Sequence, residues 1–125
     1  MNIPENYFEK LLGLNEEVNE AFKGLNCLQS ALDRKISDIY HDIEKSEFDI
    51  AQGNEYARQL KETLQYRRVI KDELAKLMPV YNMLRTEVGK VSEQHDRAIR
   101  KGYELRQSLN VTLGIEEVLA ALDAS

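Results

Sequence analysis

The chain of 125 residues has one cysteine, two prolines, two histidines, six glycines and no tryptophan. The lone Cys27 excludes an intrachain disulfide and a cysteine-based zinc site, and it fits a reducing compartment. Beside Leu25 and Leu28 it reads as a small buried or half-buried apolar residue. No stretch approaches the roughly 18 apolar residues of a membrane span. The acidic start MNIPENYFEK lacks the basic and apolar parts of a signal peptide. A cytoplasmic protein without membrane contact is expected.

Catalytic sets are missing too. No glycine-rich phosphate loop occurs, and no Ser/His/Asp or Cys/His set has an activating partner. His41 and Glu44 share one helical face, but His95 is the sole other histidine, too few for a metal centre of the bundle type. His95 itself reads as a polar register-setting residue. No enzymatic activity, metal or cofactor is expected.

What is present is helix-forming. Leu, Glu, Lys, Arg, Ala and Gln dominate, and they lose little rotamer freedom in a helix. β-Branched residues never alternate over a strand's length. An all-α fold is predicted, an elongated antiparallel helical hairpin or bundle with coiled-coil seams. One domain over 1–125 would hold helices at about 4–46, 52–78, 80–108 and 114–123. Asn2 would cap the first, with Pro4 in its first turn.

The first seam reads Leu11, Leu14, Val18, Ala21, Leu25, Leu28, Leu32, Ile36, Ile39 and Ile43, with one extra step at 32–36. Gly24 suggests a bend or break. Turn and capping residues fill Lys45 to Asn54, where Phe48 and Ile50 would plug the hairpin end. A second seam runs through Leu60 and Leu64, is interrupted by Arg67, and resumes at Ile70 through Leu109. Pro79 should kink or break its helix. In the tail, Ile115, Val118, Leu119 and Leu122 form one apolar stripe. Seams this narrow bury little surface alone, so a homo-oligomer, a dimer first, is expected.

Charge is distributed unevenly. Residues 1–55 carry 5 basic and 12 acidic side chains, whereas residues 56–106 carry 12 basic and 7 acidic ones. The overall −5 argues against general nucleic-acid binding. The asymmetry suits pairing of an acidic helix with a basic one, or display of a basic surface to an anion. The candidate binding residues are Arg67, Arg68, Lys71, Tyr66 and Arg58, with Lys61 beside them. Arg67 falls where the seam expects an apolar residue. Its guanidinium must pair with a carboxylate of the first helix, reach solvent, or meet an anionic ligand such as a phosphate.

A set of short motifs spans roughly residues 30–85. It comprises His41-Asp42-Ile43-Glu44, Phe48-Asp49, Tyr56-Ala57 with Gln59-Leu60-Lys61, Arg67-Arg68 with Lys71-Asp72-Glu73-Leu74, and Pro79-Val80-Tyr81. In these the chain resembles small helical-hairpin proteins from phages of Gram-positive bacteria. More weakly it resembles the Thoeris anti-defence family of nucleotide-signal sponges. Where that family has a basic β-forming C-terminal segment, this chain has Arg97 to Arg106 and a helical tail. The resemblance implies phage origin, a place in the bacterial host's cytoplasm, and a hairpin in which Arg67, Arg68 and Lys71 are the positions to watch. Three functions are carried forward. The first is a counter-defence protein that binds and blocks a host protein. The others are sequestration of an anionic nucleotide between subunits, and a structural coiled-coil adaptor.

Overall fold

Three helices and no strand make up the described residues of the computed structural model, which covers the backbone of residues 3–124 and the side chains of residues 4–123. They are α1, Ile3–Lys45, α2, Ile50–Leu109, and α3, Ile115–Ala124. The fold is all-α, and the α1–α2 connection is a hairpin. Asn2, the expected cap of α1, lies outside the described residues.

The hairpin turn is built by short-range chemistry. Asp49 caps α2, its Oδ1 accepting from the Gln52 N–H at 2.8 Å and its carbonyl from the Gly53 N–H at 2.9 Å. Phe48 meets Tyr56 edge to face at 5.4 Å. A Cβ at Gly53 would lie 3.3 Å from the Phe48 ring, so glycine there makes room for the plug. Ile50 does not share that role; it is 85% exposed.

Packing falls into two units, Glu17–Asn82 and the residues up to Glu16 with those from Met83 onward. In Glu17–Asn82, α1 and α2 run antiparallel. Phe22 stacks on Tyr81 at 4.0 Å, and Arg67 reaches Asp33. Buried here are Ile39, Leu74 and Thr63, whose hydroxyl donates to the Gln59 carbonyl at 2.7 Å. In the other unit, Phe8 stacks on His95 at 4.3 Å and Leu84 is buried.

Burial corrects the seams. On α1 the covered or half-covered seam positions are Phe8, Leu11, Asn15, Val18, Phe22, Leu25, Gln29, Leu32, Ile36, Ile39 and Ile43, with Glu5, Gly13 and Asn19 half-covered beside them. The seam spacing alternates 3 and 4 without fault. The expected extra step at 32–36 is absent, and Leu14, Ala21 and Leu28 face out. A strict seven-residue repeat accepts polar Asn15 and Gln29 inside rather than drift off the partner. Asn15 Oδ1 is buried without a hydrogen-bond partner, the kind of energetic cost that polar seam residues carry. On α2, likewise, Thr63 and not Leu64 is the seam residue, and Leu64 is 46% exposed.

Of the bend or break expected at Gly24 and the kink or break expected at Pro79, the break occurs at neither. α1 is continuous through Gly24, which keeps a negative φ. α2 contains Pro79 as a single helix where two had been expected at 52–78 and 80–108. The proline removes one hydrogen bond to the Ala75 carbonyl, but both residues are exposed, so water satisfies that oxygen. Packing of Leu74, Leu77 and Tyr81 holds the register across the fault. Cys27, expected to be covered, is exposed.

The end of α2 is a Schellman closure. Asn110 adopts φ 55°, the Val111 N–H donates to the Arg106 carbonyl at 2.9 Å, and the Asn110 N–H to Gln107 at 3.4 Å. Arg106 then donates from Nη2 to the Leu113 carbonyl at 3.1 Å, tying the linker to α2. The Gly114 carbonyl accepts the first bond of α3, from Val118. The apolar stripe of α3 remains largely exposed, with Leu122 at 66%. No helix among the described residues is long and apolar enough to cross a membrane.

Candidate functional site

The basic stretch of α2 lies within Glu17–Asn82, and helix geometry divides it. With Arg67 at heptad position a, Arg68 is at b, Lys71 at e, Arg58 at f and Tyr66 at g. Five candidate residues therefore point in several directions.

Arg58 and Tyr66 belong to a ladder of intrahelical contacts. Arg58 donates from Nη2 to Glu55 at 2.6 Å and from Nη1 to Glu62 at 2.8 Å, and the Tyr66 hydroxyl donates to Glu62 at 2.6 Å. The Glu62 carboxyl is held below its ordinary range, first by the Tyr66 hydrogen bond and then by the charges of Arg58 and Lys35. The Tyr66 phenol is raised by the same bond and by the Glu62 charge. Arg58 is raised by its hydrogen bond and charge pairing with Glu55. These groups are solvent-exposed, so the ladder adds little stability.

The lowered Glu62 contributes above its unfolded value and loses that contribution as pH falls through the folded one. The raised Tyr66 contributes below its unfolded value and loses it as pH rises through the folded one. In Glu62→Gln, the Tyr66 phenol should therefore ionise at a lower pH than in the parent chain. Ring-labelled tyrosine NMR across alkaline pH reads this directly. An unmoved Tyr66 titration means the Glu62 contact is absent in solution.

Arg67 does what its seam position demands. Its Nε donates to Asp33 Oδ1 of α1 at 2.5 Å, an interhelical ion pair with side chains 32% and 48% exposed. Lys61, Arg68 and Lys71 make no ion pair among the described residues. With Arg67, Leu64 and Asp72 they line a shallow groove of about 780 Å³. Asp72 is itself engaged with Lys76 at 2.7 Å. The groove is cationic and open, and its one arginine nearest the seam is already neutralised. Arg58 and Tyr66 are not among its lining residues.

A second hollow, of about 560 Å³, lies in the other unit between Pro4 and Glu5 of α1 and His95, Ile99, Gly102 and Tyr103 of α2. His95 is stacked on Phe8, so its place is a packing one. His41 is exposed on α1. Among the described residues no group of three or more His, Cys, Asp or Glu is placed to hold a metal ion.

No family model, curated protein or solved structure matches the chain. Function is therefore read from its side chains alone. A carboxylate of the first helix is one of the three fates that the seam position allows Arg67, whereas composition and charge do not single out Glu62, the hub of the Arg58–Tyr66 ladder. The signal was available: Arg58, Glu62 and Tyr66 are spaced by four, the interval of helix-surface neighbours.

Proposed function

We propose that this chain is a non-catalytic binding module whose helical faces dock onto other proteins, a second copy of itself among them. In a phage setting this is the chemistry of a counter-defence protein that blocks a host factor in the cytoplasm. The supporting observation is unused apolar surface. Large side chains such as Leu64, Val69, Met78 and Met83 stand in solvent, while Ile39, Leu74 and Leu84 are the buried apolar residues among those described. Such exposure marks interaction surfaces.

The test is capture of proteins from a Gram-positive lysate on the immobilised chain, against Leu64→Lys with Met78→Lys. Specific capture that the double variant loses, at unchanged helix content, is the expected result. No specific capture, or capture indifferent to these changes, overturns the host-protein reading.

Lys61, Arg68 and Lys71 support sequestration of an anionic nucleotide as the second reading, because all three are unpaired along one groove. Calorimetric binding of a cyclic nucleotide that is lost in Arg68→Ala with Lys71→Ala would put it first. Failure of both arms leaves a structural coiled-coil adaptor.

A further inference from the structure

Beside the seam that packs on α2, α1 carries another. With Phe22 at position a, the c and g positions of α1 from Glu17 onward begin Glu17, Ala21, Gly24, Leu28, Ala31 and Lys35, spaced 4, 3, 4, 3 and 4, and continue with the charged Asp38, Asp42 and Lys45. That is coiled-coil spacing on a face α2 does not cover. Ala21, Gly24 and Ala31 are exposed, and Leu28 is 52% exposed. A Cβ placed on Gly24 meets nothing within 4 Å, so the open space beside it is not filled by the chain itself.

The charges that flank the small residues of this strip specify what fits. Glu17 and Lys35 lie nine residues to either side of Asn26, and neither makes an ion pair among the described residues. An antiparallel copy of α1, with its two-fold axis level with Asn26, sets Glu17 against Lys35 of the second copy. The same register places Gly24 opposite Leu28 and Ala21 opposite Ala31. Symmetry makes each contact twice, the self-complementarity an isologous interface requires. Sliding the copies to align Glu17 with Asp38 creates a like-charge clash instead, so charge selects the register.

We propose that this face of α1 binds a second copy of the chain, antiparallel, as a two-fold dimer. The small residues let the two backbones approach closely, and Leu28 of each copy fills the hollow beside Gly24 of the other. Val69 and Val80 of α2, 61% and 43% exposed, stand at c and g and add apolar area on the same flank. That flank is shared because the Lys35 charge reaches Glu62, itself at c on α2. The proposal rests on the self-association named above and assigns it a surface.

Sedimentation equilibrium of the full chain tests it. The parent chain should be a dimer and Gly24→Arg a monomer of undiminished helix content, since arginine is the better helix former and meets nothing in the single chain. Glu17→Lys alone should weaken the dimer about tenfold or more, two attractions becoming repulsions. Adding Lys35→Glu should restore it. A short bismaleimide should also link Cys27 to Cys27 between copies, because that exposed residue lies one step from the axis. A parent chain that stays monomeric overturns both the interface and self-association. A dimer that survives Gly24→Arg, or is not restored by the charge exchange, overturns this interface and leaves self-association standing.

Discussion

Ile39→Ala should lower the free energy of unfolding by about 2–4 kcal/mol, a large part of the roughly 5–15 kcal/mol that holds a domain folded. Ile39 is 4% exposed and has few companions, Leu74 and Leu84 being the other buried apolar residues described. The register set by Phe22 and Tyr81 brings it within one residue of Thr63, which is 1% exposed. The Thr63 hydroxyl is fixed on the Gln59 carbonyl, so it does not swing over to fill a void. Two regular helices also collapse poorly around the three carbons that the substitution removes, which puts the cost toward the upper end. Ile50→Ala is the control. Ile50 is 85% exposed, and its truncation should stay within about 0.5 kcal/mol. Urea unfolding followed by circular dichroism compares the two. Equal effects at both sites would mean that α1 and α2 do not pack through Ile39.

How legible this fold was depends on which residues are asked. The spacing of Leu25, Leu32, Ile36, Ile39 and Ile43 identified α1, and Leu74, Leu77, Tyr81 and Leu84 identified the matching part of α2. The helix start at Ile50 was readable from Asp49, a residue type that caps. The errors share one cause. Reading only apolar residues follows Leu14, Ala21 and Leu28, which are also spaced by about half a heptad from the true seam residues. The helix instead covers Asn15, Phe22 and Gln29, because the seam must keep one face toward its partner even at polar positions. Thr63 was passed over for Leu64 for the same reason. At Gly24 and Pro79 the spacing left continuity and a break both open, and packing on both sides decides for continuity over local propensity. At the candidate site, composition marked the basic stretch, but only the wheel separates the groove-lining Lys61, Arg68 and Lys71 from the Arg58–Tyr66 ladder.

Arg67→Leu is expected to stabilise the chain by about 1–2 kcal/mol, the opposite of what loss of an ion pair suggests. The Arg67–Asp33 pair is partly exposed on both sides, the setting in which such pairs contribute about 0–1 kcal/mol. At the same position a leucine would lie between Thr63 and Ile70, level with Ile36, and extend an apolar seam that arginine interrupts. Arg67→Ala should instead cost about 1 kcal/mol, because it removes the packed stem along with the charge. Asp33→Ala separates structure from function. The freed guanidinium reaches solvent at small energetic cost, while the groove of Lys61, Arg68 and Lys71 gains an unneutralised cation at its edge. If the groove serves an anion, Asp33→Ala tightens and Arg67→Leu weakens nucleotide binding by calorimetry. If thermal unfolding shows Arg67→Leu stabilised while neither variant changes anion binding, Arg67 acts through helix register. A destabilised Arg67→Leu would mean that the seam at this level is shaped for the guanidinium stem and not for an apolar side chain.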